Sequence, residues 1–550
     1  MRPMSGTKIY SARKIITMNP NRPVVSHVAV RDGRILGAGT LEELAGWGDH
    51  TVDERFADKV IMPGLVEGHA HSMEGALWSF TYVGWFDRMD PDGKVWSGLK
   101  SIDEVVARLR ETEKDIEDPD APLLGWGLDP IYMGNVRMTR ADLDRVSSSR
   151  PVGIMHASGH ILNVNTRGLE LAGLFKTGNN HPGIPLDAEG LPTGELKSPE
   201  IMMPAGKHVG MDRAFLAADE EGLRNYGRLC VRAGVTTSSD LGQQLNDDLV
   251  GLFEKVTGDE NYPVCLVAFR INFGLSPKEL VDYTASLKEK TTNRLELGKI
   301  KIVADGSIQG FSARMLWPGY YNGAPNGLWY IAPDQLAEIY ERALSSGVQV
   351  HTHTNGDEAT QLTIETLEAA LRKHPDFDHR FTLQHCQLAT EAQFRKMGRL
   401  GMCVNLFANH HFYWGDEHYT LTVGPERAER MNACRTALDS GVPMTIHSDA
   451  PVTPLGPLFT AGAAASRKTA SGRTQGESQR ISVEQALYAI TMGAAITMKM
   501  DDQIGSIEIG KRADFAVLED DPTDAEPETL KDLRVWGTVQ GGRIFEAATI

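Results

Sequence analysis

Short apolar runs alternate with amphipathic stretches through most of this 550-residue chain. Eight of the runs read as strands, at 61–66, 235–240, 264–271, 299–304, 348–353, 381–385, 402–407 and 444–447. Between most of them apolar residues recur at helical spacing, as in DQLAEIYERALSSG and EAQFRKMGRLG. Strands that each lead into a helix predict a parallel sheet, and eight such units predict an α/β fold, a (β/α)8 TIM barrel. Residues 73 to about 215 break this rhythm with Gly- and Pro-rich loops such as HPGIPLDAEGLPTGEL, and are expected to form a long insertion after the first strand.

The two ends are patterned differently. KIYSARKIITM, HVAVRDGRILGAG and KVIMPG near the start, and GSIEIGKRADFAVLE and VWGTVQGGRIFEA near the end, are short β-type runs. Asp32-Gly33 and Gly541-Gly542 supply the turns. The expected organisation is a small β-sandwich domain composed of residues 1–60 and 500–550, with a barrel over 61–499.

Composition narrows the class. The chain is 41% hydrophobic and 23% charged, an ordinary globular profile, and its net charge of −17 argues against a nucleic-acid surface. The five cysteines are scattered and never in CxxC spacing, which fits a reducing compartment. No stretch reads as a signal peptide or a membrane span. A cytoplasmic enzyme acting on a small molecule, with neither nucleic acid nor membrane as partner, is expected.

Histidines fall where such a barrel keeps its chemistry, at the C-terminal ends of strands. VEGHAHS places His69 and His71 two apart after the first strand, so both imidazoles face the same way. His353, His385 and Asp449 follow three other strands. One such histidine alone reads as a hydrogen-bonded rim residue, but four with an aspartate at one rim read as a metal site, where His nitrogen and carboxylate oxygen suit zinc and its neighbours. Lys301, inside the apolar strand GKIKIVADGS, is costly to bury as a cation, and is either paired with an acid such as Asp305 or chemically neutralised.

The order HxH, strand Lys, His, His, Asp resembles the amidohydrolase superfamily. The stretches MPGLVEGHAH, SGHILNVNT, LPTGELKSPE, GVTTSSDLG, IKIVADGSIQGFSARM, HTHTNGDEA, HRFTLQHCQ, HSDAPVTPLGP and GSIEIGKRADFAVLEDDP are similar to its YtcJ-like, amidohydrolase-3 branch over nearly the whole chain. Within that branch the sequence resembles the N-substituted formamide deformylases. The resemblance implies His69 and His71 on one metal, His353 and His385 on a second, and an N-carboxylated Lys301 bridging them. Asp449 would be both ligand and proton carrier. His351 shares strand parity with His353, and the choice of His353 follows the family's His-x-x-Gly-Asp.

One or two divalent ions, zinc first, and a homodimer are further expectations. The implied reaction is hydrolysis of a linear amide, an N-substituted formamide or N-acyl amine, by a metal-bound hydroxide. A cyclic amide, a deamination or an ester on the same fold, or a non-catalytic scaffold, are the alternatives. NHHFYWGDEH after the seventh strand departs from the branch in its wealth of His and aromatic residues. His411 and Trp414 there, with His160 in the insertion, are candidate substrate contacts. His447 shares strand parity with Asp449 and is a candidate supporting residue.

Overall fold

The structure, a computed structural model, describes residues 6–550 other than Asn135, Ser158, His160, Ser198 and 212–218. Two compact units are distinguished, one of the residues up to His71 with Cys230–Ile550, the other of Ser72–Leu229.

The first unit contains the barrel. Its strands are β1 (Leu65–Ala70), β2 (Val235–Gln243), β3 (Cys265–Ile271), β4 (Leu295–Val303), β5 (Gln349–Thr354), β6 (Thr382–His385), β7 (Cys403–Leu406) and β8 (Met444–Ile446). They pair in sequence order into one eight-stranded sheet, every pair parallel. Helices follow several strands, among them α1 (Pro333–Ser345), α2 (Asp357–Lys373) and α3 (Glu391–Leu400). Each buries an apolar stripe, such as Leu336, Ile339, Tyr340 and Ala343 on α1. The sheet closes through a parallel bridge between Ala70 and Ala450, in which His71 N–H donates to the Ala450 carbonyl at 2.7 Å. Beside it, Asp449 N–H donates to the His69 carbonyl at 3.0 Å.

The first strand differs from its expected position. Residues 61–63 belong to the strand His50–Pro63 of a second sheet, where Ile61 pairs with Val517. The handover takes one residue: Gly64 N–H donates to the Asp514 carbonyl next to that sheet, while Leu65 N–H donates to the Gly234 carbonyl next to β2. Only glycine fits there, because a Cβ on Gly64 would lie 1.9 Å from Thr236 Oγ1. β1 therefore starts late, and His69 lies within the strand rather than after it.

The second sheet has seven strands, in the order Arg543–Glu546, Val535–Gln540, Phe515–Leu518, His50–Pro63, Thr7–Ile16, Val24–Arg31 and Arg34–Gly39. Both chain ends thus contribute, and Tyr10, Phe56, Phe515 and Val539 share one apolar cluster. Asp32 and Gly33 both adopt positive φ, the twist that a tight hairpin requires.

The Ser72–Leu229 unit has its own five-stranded sheet, ordered Glu195–Lys197, Ile161–Val164, Val152–His156, Leu123–Leu128 and Thr81–Tyr82. Strand alternation divides its residues between two clusters: Val152 and Ile154 join Val105 and Leu109, whereas Met155 joins Trp126 and Leu162. Among the described residues, no helix is long and apolar enough to cross a membrane.

Gly64→Ala should destabilise the first unit by about 1–3 kcal/mol through overpacking. Gly251→Ala, at a helical position where a Cβ meets nothing within 4 Å, should stabilise it by about 1 kcal/mol. Chemical denaturation of the two variants checks the contrast, and equal effects would contradict the role given to Gly64.

Candidate metal centre

The closure between β1 and β8 brings His69, His71 and Asp449 together. Asp449 Oδ1 lies 3.4 Å from His69 Nε2 and 3.2 Å from His71 Nε2. Lys301 Nζ reaches the same His69 nitrogen at 3.3 Å. The His385 ring lies 4.7 Å from His69 and 4.4 Å from His353, centroid to centroid, and its Nδ1 is 3.9 Å from Asp449 Oδ2. All six residues singled out as ligands therefore gather at one end of the barrel. His385 and Asp449 both take positive φ, +67° and +53°, a conformation that costs a non-glycine residue about 1–3 kcal/mol. Asp449 holds it while its N–H closes the barrel on His69, so the strain is fixed by the same bond that forms the site.

Burial sets the electrostatics. His69 is 1% exposed, and desolvation followed by the nearby Lys301 hold its imidazolium form well below the usual histidine range. Burial likewise pushes Lys301 down to about 7, against the pull of Asp449. Much of the lysine is then a neutral amine at neutral pH. Asp305, its candidate partner, is turned elsewhere: it accepts from the N–H groups of Arg314, Asn355 and Gly356 at 2.9–3.0 Å and lies 3.7 Å from His353 Nε2. Behind the centre, the Glu67 carboxyl is pushed up to about 8 by burial. It accepts from His69 N–H, Ser448 N–H and Ser448 Oγ–H at 3.2, 3.2 and 2.8 Å.

The donor set fits a divalent ion. A carboxylate oxygen faces imidazole nitrogens within 3.4 Å, one of them on a ring that burial keeps neutral. His69, His71 and Asp449 form one group whose ligand atoms all lie within 4.8 Å of one another; His69, His385 and His447 form another. His447 is thus more central than its sequence position alone indicated. Its ring stacks on His69 at 4.9 Å, its Nε2 lies 3.1 Å from His385 Nδ1, and its Nδ1 lies 2.8 Å from Asn405 Oδ1. The two-residue offset from Asp449 was the available signal. His351, by contrast, bonds to Gln384 and the Thr497 carbonyl rather than joining this cluster.

The His- and aromatic-rich stretch is a buried helix, α4 (His410–Glu417). His410 bonds His418 at 2.9 Å and packs on Trp414 and Phe407 at 4.5 and 4.4 Å. Phe407 in turn stacks on His447 at 4.7 Å, so ring contacts run without a break from the histidine cluster to Trp414. His411 stands off that path, its Nδ1 3.0 Å from Gln475 Oε1. His160 lies outside the described residues.

Residues 57–545 match the profile of the Amidohydrolase family. The chain is 28% identical over 550 residues to the putative amidohydrolase YtcJ of Bacillus subtilis, spanning 96% of this chain and 97% of that protein. It is 24% identical over 542 residues to the N-substituted formamide deformylase of Arthrobacter pascens, spanning 96% of each. Its fold is similar to that of an uncharacterised metal-dependent hydrolase from Pyrococcus horikoshii OT3, with a TM-score of 0.73, 20% identity, and coverage of 95% of this chain and 99% of that one.

Adding zinc to metal-stripped protein should raise its unfolding temperature, corresponding to about 2.7 kcal/mol at a hundredfold excess over Kd. Asp449→Ala should remove most of that gain in a thermal melt. An undiminished zinc effect in the variant would mean that the ion binds elsewhere.

Proposed function

This chain belongs to the amidohydrolase family, and we propose that it is a metal-dependent hydrolase of a linear amide, an N-substituted formamide or an N-acyl amine. The observation that carries the reading is that Asp449 Oδ1 lies within 3.4 Å of both His69 Nε2 and His71 Nε2 where the barrel closes, with Lys301 on the same His69 nitrogen. His69, His71 and Asp449 would hold one ion and His353 and His385 a second, with an N-carboxylated Lys301 shared between them. A neutral, buried lysine supports that modification, because only the free amine adds carbon dioxide. Zinc suits this set of imidazole and carboxylate donors.

A divalent ion held there would supply a water of lowered pKa and polarise a carbonyl oxygen. The chain supplies the proton transfers. Asp449 accepts a proton from the attacking water on a carboxylate oxygen and returns it to the departing nitrogen, acting first as base and then as acid. Amide chemistry needs that second step, since an amine leaves poorly until it is protonated. The closure bond from Asp449 N–H to His69 holds the carboxylate in place, so little reorganisation accompanies the transfers. We assign the helix bearing His411 and Trp414 to recognition of the substituent on nitrogen. The aromatic path from His447 to Trp414 supports an apolar or aromatic group there.

On a panel of N-substituted formamides and N-acyl amines, the protein is expected to release amine and carboxylate in equal amounts. Ammonia without an acid would point instead to deamination. Lys301→Ala is expected to lose bound metal and at least about 100-fold in kcat/KM, with partial recovery on adding short-chain carboxylic acids. Wild-type activity in that variant would contradict the bridging role.

A further inference from the structure

Three hydrogen bonds lead from His69 into the interior of the barrel. His69 Nδ1 lies 2.8 Å from Gln384 Oε1, Gln384 Nε2 lies 2.8 Å from His351 Nδ1, and His351 Nε2 lies 3.0 Å from the Thr497 carbonyl oxygen. All four residues are buried, at 1% exposure or less. No water is needed to complete the row, because each atom in it already has its partner.

The proton positions follow from one end. The Thr497 carbonyl can only accept, so His351 must carry its proton on Nε2. In a neutral ring, Nδ1 is then a bare acceptor. The Gln384 atom facing it must be the NH2 group, which turns the amide oxygen toward His69. That oxygen can only accept, so His69 carries its proton on Nδ1 and leaves Nε2 bare. With a backbone carbonyl at its far end, the row leaves neither the amide nor the two rings a choice of orientation or tautomer. The far side agrees: Lys301 Nζ sits 3.3 Å from His69 Nε2, in position to donate to a bare nitrogen. A free imidazole favours the opposite tautomer, with its proton on Nε2, which would block that nitrogen as a ligand.

We propose that Thr497, His351 and Gln384 form a positioning relay that fixes the tautomer of His69 and so presents its Nε2 lone pair to the metal ion. The inference rests on the reading of His69 as a ligand. It gives His351 a function although it does not join the ligand cluster, and it makes Gln384 the residue through which the relay acts. The far end is secured independently, since Gln349 Nε2 also donates to the Thr497 carbonyl at 2.8 Å and keeps that oxygen an acceptor.

Zinc affinity of the metal-stripped full-length protein, measured by competition with a chromophoric chelator, tests the relay. Gln384→Met keeps the volume but removes the acceptor, and should weaken zinc binding by about 10- to 100-fold. Gln384→Glu keeps an oxygen toward His69 Nδ1–H, and should bind zinc at least as tightly as the wild type. A purely structural role for Gln384 predicts the reverse order, because Met suits a buried site better than a carboxylate. His351→Phe cuts the relay one bond further back and frees the amide to turn, so it should fall between Met and wild type. It also serves if Gln384→Met does not fold.

His69→Ala separates the two levels. If it binds zinc as tightly as the wild type, the ligand assignment itself is wrong. If it loses zinc while Gln384→Met and His351→Phe bind normally, the ligand assignment stands and the relay is overturned.

Discussion

Two backbone hydrogen bonds join the end of the first barrel strand to the segment that follows the last, and the candidate centre depends on them. Asp449 N–H meets the His69 carbonyl at 3.0 Å and His71 N–H meets the Ala450 carbonyl at 2.7 Å. The groups that close the barrel belong to residues whose side chains converge. Any slip between β1 and β8 would therefore separate the carboxylate from both imidazoles at once. Glu67 sits behind the joint and ties the two segments together, accepting from His69 on one side and Ser448 on the other. Its place follows from strand alternation, since Glu67, His69 and His71 are two residues apart and share a face.

Closing the barrel also removes water from a dense group of polar side chains, and burial then determines their charge. His69, His385 and His447 are all driven toward the neutral, metal-binding form of imidazole, with desolvation the largest cause for each. Lys301 is driven toward the neutral amine by the same cause. A metal site needs these forms, and an apolar barrel interior favours them without a specific partner for each group. What it does not select is which nitrogen of each ring is bare. For His69 that choice falls to hydrogen bonds running the other way, through Gln384 and His351 to a backbone carbonyl. The left-handed backbone at His385 and Asp449 belongs to the same design, with strain carried where side chains must leave the strand direction.

The barrel was legible in the sequence because its strands are continuous apolar runs between helical patterns, and β2 to β8 overlap the predicted runs. β1 was displaced because the run from residue 60 onward serves two sheets. Apolar character does not register a change of partner; Gly64 does, and only through its closeness to Thr236. The ligand candidates were legible because period two and strand ends are local properties. His447 was visible through its offset from Asp449, but its stacking on His69 joins β1 to β8 across several hundred residues, which no local pattern carries. The relay was beyond reach for the same reason, since Gln384 and His351 meet only when β5 and β6 pair, and Thr497 and His69 join them from distant parts of the chain. The 410–414 stretch carried an aromatic signal, yet whether it formed a surface loop or a buried helix depended on its packing against Phe407 and Gln475.

The most direct test of this account is anomalous diffraction at the zinc absorption edge from crystals of the zinc-loaded protein. The account predicts strong peaks within bonding distance of His69 Nε2 and Asp449, with His71, His353 and His385 completing the shell and density extending from Lys301 Nζ for the carboxylate. A peak bound through His69 Nδ1, or none in contact with His69 and Asp449, would contradict it.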